Sequence, residues 1–174
     1  MNFTLAMSPV TGYGPAVFAP RPVARQAIYL HPGQLAVSAE PTVVTTILGS
    51  CVAVCVWDGA SGIGGVNHFV LPFGAATDDG TFRFGNVATE ELIGRVLGLG
   101  ARRQGLRAKV FGGASISGAF PAGVEGTIGA RNVERALLVL ARQGVPVEAS
   151  DTEGGRGRKL LFHTDDGSAW VKEL

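Results

Sequence analysis

The sequence predicts an α+β fold: a single layered domain of mixed or antiparallel sheets carrying two main helices. Three observations lead there. Short runs of β-branched or alternating apolar residues recur between turn residues from Ile28 to Val171. Only two stretches, near 86–101 and 130–143, repeat apolar residues at helical spacing. A parallel doubly wound sheet would need helices between most of its strands, and the chain has too few. With 174 residues, 46% of them apolar, one domain can bury its own core. The 26 glycines imply many turns and close backbone approaches.

Residues 1–27 read as a loose N-terminal extension, rich in proline and glycine up to Pro22. Residues 28–174 form the domain. Ile28-Tyr29-Leu30 opens it, Pro32-Gly33 turns, and Gln34 to Ser38 alternates like a strand. Val43 to Leu48 is a β-branched strand, interrupted by Gly49-Ser50. Cys51 to Trp57 resumes it, Asp58 to Gly62 is turn chemistry, and Val66 to Leu71 returns. Residues 74–81 read as a surface loop. A helix follows to about Ala101, capped by Asn86 or Thr89, with Glu90 and Glu91 in its first turn. Ala108 to Phe111 is a short strand, and residues 114–128 are small and irregular. A second helix spans about Ala130 to Gln143, stopped by Gly144. Strands at 146–149, 160–163 and 168–171 close the chain, the last two as a hairpin across Asp165-Asp166-Gly167.

A net charge of +1 gives no reason to expect nucleic acid. No run approaches the ~18 apolar residues of a membrane span, and no basic side chain precedes Arg21, so neither insertion nor a signal peptide is expected. The two cysteines, Cys51 and Cys55, lie roughly 13 Å apart in an extended strand, beyond disulfide reach. Reduced thiols and a cytoplasmic setting follow.

The hairpin holds the chemistry. A turn centred near Ala60 makes the numbers of facing residues sum to about 118–120, so Cys51 faces Asn67, His68 or Phe69. His68 then reaches the Cys51 thiol, whereas Cys55 faces Ile63, Gly64 or Gly65, where no base exists. A charged imidazole beside Cys51 would favour thiolate at neutral pH. Thr45 and Thr46 are candidates for a third, orienting group. A straight strand puts Thr45 ~20 Å from Cys51, so it joins only if the chain bends at Leu48-Gly49-Ser50. Against this stands the plain alternative that a cysteine in an apolar strand is a buried small hydrophobe. The Cys/His spacing matches no common zinc motif. His31 reads as a turn residue and His163 as a structural residue of the closing hairpin. Gly112-Gly113 and Gly154-Gly155 lack the Gly-Lys-Ser/Thr ending of a phosphate loop. Arg156, Arg158 and Lys159 read as a solvated basic loop.

At these residues the chain resembles the CheD family of chemoreceptor glutamine deamidases. The matching text is Thr45 to Val54, Gly64 to Pro72, Lys109 to Ala114, Ile128 to Val133, and Asp151-Thr152 through Gly157-Arg158-Lys159. The resemblance covers about residues 28–174. It departs at Phe82 to Asn86, and at Glu153, where the family commonly has glycine. It implies hydrolysis of glutamine side chains in chemoreceptor cytoplasmic helices to glutamate and ammonia, without metal or organic cofactor. It puts the nucleophile on Cys51, the histidine on His68 and the threonine, six before the cysteine, on Thr45. It also implies, for some members, a CheC-type phosphatase partner. Two other readings compete: a regulatory binding module with little turnover, and a cysteine amidohydrolase or transamidase acting on other amides.

Overall fold

The computed structural model describes residues 24–76, 82–115 and 126–174. Most of the expected N-terminal extension lies outside the described residues, as do 77–81 of the surface loop and 116–125 of the small-residue stretch.

Among the described residues, nine strands and two α-helices stack in three layers. The strands are β1 (Gln26–Tyr29), β2 (Gln34–Ser38), β3 (Thr42–Leu48), β4 (Val52–Asp58), β5 (Ile63–Phe69), β6 (Arg107–Gly112), β7 (Val147–Thr152), β8 (Arg158–His163) and β9 (Ala169–Glu173). The helices are α1 (Gly85–Gly98) and α2 (Ile128–Arg142). One sheet has the order β1-β3-β8-β9 and the other β2-β5-β4-β6-β7. Both are mixed: β1 runs parallel to β3, and β7 parallel to β6, while the other pairs are antiparallel. The α+β class and its two helices are thus as the sequence predicts.

The five-stranded sheet is the middle layer, and β4 shows it. All seven of its residues are buried, because alternate side chains serve different cores. Val52, Val54 and Val56 pack with Leu92, Ile93, Val96, Val133 and Leu140 of the helices. Ala53, Cys55 and Trp57 pack with Val44, Leu48, Leu160 and Phe162 of the four-stranded sheet. A strand buried on both faces reads as a continuous apolar run, as this one does.

Helix boundaries differ from expectation for a specific reason. α1 begins at Gly85 without a side-chain cap. The two expected capping residues are engaged elsewhere. Asn86 bonds both backbone groups of Gly74 through its side-chain amide, and the Thr89 hydroxyl accepts from Asn67 Nδ2 at 3.3 Å. Glu91 therefore sits in the second turn, where it pairs with Arg95 at 2.7 Å. α2 begins two residues earlier than expected because Thr127 caps it, accepting from the Ala130 amide at 3.2 Å.

The hairpin register also shifts. Asp58 pairs with Ile63, so facing residues sum to 121 and Ala53 opposes His68. The turn has four residues, Gly59 to Gly62, because the Asp58 carbonyl accepts from the amides of both Ser61 and Gly62. Gly62 takes a φ of 70°, open to glycine at no steric cost. The expected sums of 118–120 therefore miss by one step.

Candidate active site

The site lies where the chain leaves one sheet for the other. β3 belongs to the four-stranded sheet and β4 to the five-stranded one, so Gly49-Ser50-Cys51 is the crossing. The bend that the sequence makes possible at Leu48-Gly49-Ser50 is present. It brings the end of β3 over β5, and only its inward side chains arrive there.

Parity decides which threonine. Along β3, Thr42, Val44, Thr46 and Leu48 are buried, and Val43, Thr45 and Ile47 are not. Thr46 therefore points between the sheets and Thr45 away from them. Thr46 Oγ1 lies 2.8 Å from His68 Nδ1. The resemblance puts the threonine on Thr45; the geometry puts the histidine's partner one residue later, on Thr46. Both Thr46 and His68 are 1% exposed.

The hydrogen bonds also assign the ring's tautomer. Thr46 Oγ1 donates its one proton to the Leu30 carbonyl, 2.7 Å away. A carbonyl can only accept, so the hydroxyl has only lone pairs left for His68. Nδ1 therefore carries the ring proton and donates it, and Nε2 is the free base. Nε2 is buried and has no hydrogen-bond partner among the described residues.

By register Cys51 and Cys55 are equally placed toward that nitrogen, because each lies two residues from Ala53, which opposes His68. The Gly113 amide donates to the Cys51 carbonyl at 2.8 Å, so the ladder with β6 carries on past Val52 and the alternation of faces holds through Cys51. Cys51 then shares a face with Ala53, which opposes His68. That makes Cys51 a diagonal neighbour of His68 at a step of about 7–8 Å, the same step that separates Cys55 from His68 on the other side, so exposure and not register distinguishes the two thiols. Cys51 is half-buried and packs against the inter-sheet core. Cys55 opposes Val66 and is fully buried in that core.

The site favours neutral groups. Burial lowers the His68 pKa to about 4, and His31 adds to the fall, while the Leu30 carbonyl opposes it. Burial raises the Cys51 thiol above its ordinary value, partly offset by its own backbone amide. The two shifts favour a neutral thiol and a neutral imidazole in place of the expected thiolate and charged imidazole. A neutral thiol and imidazole brought into contact react by passing the proton as the sulfur attacks.

The surrounding frame is made of close backbone approaches. The Ala114 amide donates to the Gly49 carbonyl at 2.8 Å. Gly112 has a φ of 106°, and a Cβ there would overlap the Cys51 carbonyl, so glycine is required on both counts. Arg158 is buried, not solvated as the sequence reading has it. Its guanidinium donates to the carbonyls of Gly112, Asp151 and Glu153 at 2.7–2.8 Å. Arg156 is exposed, as expected. Glu153, which adopts a φ of 63°, lies in that same tie. His31 edges Tyr29, and His163 packs on Trp170. Among the described residues, no group of three or more His, Cys, Asp or Glu could hold a metal ion.

Sequence reasoning missed Asn132. Its Nδ2 donates to the carbonyls of Ser50 and Val70, both at 2.9 Å. The signal was available: Asn132 falls on the apolar stripe of α2 with Val133, Ala136 and Leu140, and a buried polar residue on such a stripe needs partners.

Comparisons with known proteins show the family of the chain. The family model described as "CheD chemotactic sensory transduction" matches residues 70–173. A probable chemoreceptor glutamine deamidase CheD 1 of Anaeromyxobacter dehalogenans is 51% identical over 150 residues, covering 86% of each chain. A probable chemoreceptor glutamine deamidase CheD of Trichlorobacter lovleyi is 44% identical over 139 residues, covering 80% of this chain and 85% of its own. One from Rhodospirillum rubrum is 42% identical over 147 residues, covering 84% and 81%. The family match begins after Cys51 and His68. The first of these alignments includes both, since any 150-residue span of a 174-residue chain contains positions 51 and 68.

Proposed function

The chain belongs to the CheD family, and from that premise we propose that it is a protein-glutamine deamidase acting on chemoreceptors through a Cys51–His68 pair. The observation that carries the mechanism is the Thr46–His68 hydrogen bond at 2.8 Å. It leaves Nε2 unprotonated on the face of the sandwich that Cys51 shares.

The chemistry follows from that arrangement. His68 Nε2 takes the thiol proton as Cys51 Sγ bonds to the carbon of the glutamine side-chain amide. The imidazolium returns that proton to the nitrogen, the C–N bond breaks, and ammonia leaves a thioester on Cys51. His68 then takes a proton from water, whose oxygen attacks the thioester. The C–S bond breaks, the thiol regains its proton, and glutamate is released. Thr46 keeps the ring in the tautomer that both half-reactions need, the role Thr45 has in the family-based expectation. The chain's own residues suffice for every proton moved.

The reading implies a cytoplasmic reaction on the receptor's cytoplasmic helices. No helix among the described residues is long and apolar enough to cross a membrane. A CheC-type phosphatase as a second partner rests on the family resemblance, and co-purification with such a protein tests it. The function itself is tested by mass spectrometry of receptor protein incubated with the enzyme. A Gln→Glu mass change with ammonia release, absent with Cys51→Ala, supports it. Amine incorporation would indicate transamidation instead, and an unmodified receptor would leave a binding module as the better reading.

A further inference from the structure

We propose that Asn132 is a positioning residue that holds the nucleophile loop against the strand carrying the base. The proposal rests on the reading of Cys51 and His68 as the reacting pair, but its observations are separate. Asn132 lies in the second turn of α2 and is fully buried. One Nδ2 hydrogen goes to the carbonyl of Ser50, the residue before Cys51. The other goes to the carbonyl of Val70, two residues after His68. A single amide thus spans the crossing loop and the end of β5.

The orientation of this amide is determined by its partners. Both are carbonyls, so only the NH2 group can face them, and a flipped side chain would set oxygen against two oxygens. Oδ1 is then buried with no hydrogen-bond partner among the described residues. Leaving a buried acceptor unpaired is costly, so the fold retains Asn132 for its two donors.

The other ties on the loop do different work. The amides of Gly113 and Ala114 hold the Cys51 and Gly49 carbonyls to the end of β6. They set the loop's distance from β6, not from β5. β4 and β5 pair in register only from Val52 and Phe69 onward. Beyond that point the Asn132 side chain couples the two. Small displacements of a nucleophile from its base cost far more rate than they cost folding.

The test measures Cys51 itself. The second-order rate of its alkylation by iodoacetamide, resolved from Cys55 by peptide mapping, is read across pH for wild type, Asn132→Ala and Asn132→Ser. The same proteins are assayed for receptor deamidation. For Asn132→Ala we expect a kcat loss on the order of 10- to 100-fold with KM nearly unchanged. Alkylation should slow, and its pH profile should approach that of a thiol without a base. Asn132→Ser keeps one donor and should fall between. In a His68→Ala background, Asn132→Ala should have no further effect on alkylation, because the alignment it protects is already gone. A folded Asn132→Ala protein with wild-type alkylation and kcat overturns the proposal. So does a variant that loses only thermal stability, or one whose effect persists undiminished without His68. If Asn132→Ala does not fold, Asn132→Ser decides by the same two criteria. Alkylation needs no receptor. A wild type with no deamidase activity but a His68-dependent Asn132 effect would therefore sink the functional reading and leave this one standing.

Discussion

Cys51 and Cys55 lie on the same face of one strand line, four residues apart, and the fold treats them as different chemical groups. Cys55 sits in the middle of the sandwich, opposite Val66 and among Trp57, Phe162 and Leu160. Burial drives its thiol far above the ordinary range, although Lys109 opposes the shift. Cys51 sits where the chain crosses between sheets and is half-exposed, while His68 lies on the face that both cysteines share. The difference teaches that the exposure of a cysteine here is set by position relative to a strand end, not by residue type or apolar context.

The comparison can be broken most directly by removing each thiol. Cys51→Ala should lower turnover by roughly 10⁴-fold or more, the scale of losing a nucleophile, whereas Cys55→Ala should keep it and lose about 1–2 kcal/mol of stability. Equal losses in folded proteins, seen in ammonia release, would end the distinction. A smaller but cleaner contrast is labelling. In the native protein iodoacetamide should modify Cys51 at least about a hundred times faster than Cys55, and the two should converge only in denaturant.

The threonines give the next contrast. Thr46→Val removes the acceptor on His68 Nδ1 and should cost about 10- to 100-fold in kcat. Thr45→Val, on the outer side of β3, should change kcat by less than about twofold, the usual scale for a surface substitution. A larger effect at Thr45 would restore the family-based assignment.

The smallest effect is a pH shift. His68 must be neutral to act as a base and protonates as pH falls through about 4. The acidic limb of kcat/KM should therefore lie near pH 4, not near the ordinary histidine value. The same shift has a stability consequence with a definite sign. The unfolded chain takes up this proton near pH 6.5 and the folded chain only near 4, so stability falls as pH drops through that window. In His68→Gln the fall between pH 6.5 and 4 should be shallower. Thermal melts at stepped pH read the difference, and an unchanged slope would argue against a buried neutral ring.

Much of the fold is legible in the residues. Strand and helix positions follow from apolar spacing, and the β4–β5 hairpin from the turn residues after Asp58. Two things needed coordinates. One is sheet membership, since nothing in Gly49-Ser50 says that β3 and β4 pair with different neighbours. The other is the hairpin register, which the Asp58 carbonyl sets by closing a four-residue turn. Thr46 is one of the two threonines named from the sequence, and with Val44 and Leu48 as core residues, alternation points Thr46 inward and Thr45 out. Counting six back from the cysteine passes over that parity. Asn132 and Arg158 were harder, because each acts through backbone carbonyls brought close by tertiary folding alone.

The most direct test is to catch the covalent intermediate. Wild-type protein turning over receptor is quenched in acid, digested, and its cysteine peptides are mapped by mass spectrometry. A receptor glutamyl group joined as a thioester to Cys51, with Cys55 unmodified, is the predicted result. An adduct on Cys55, or deamidation that continues unabated in Cys51→Ala, would contradict the account.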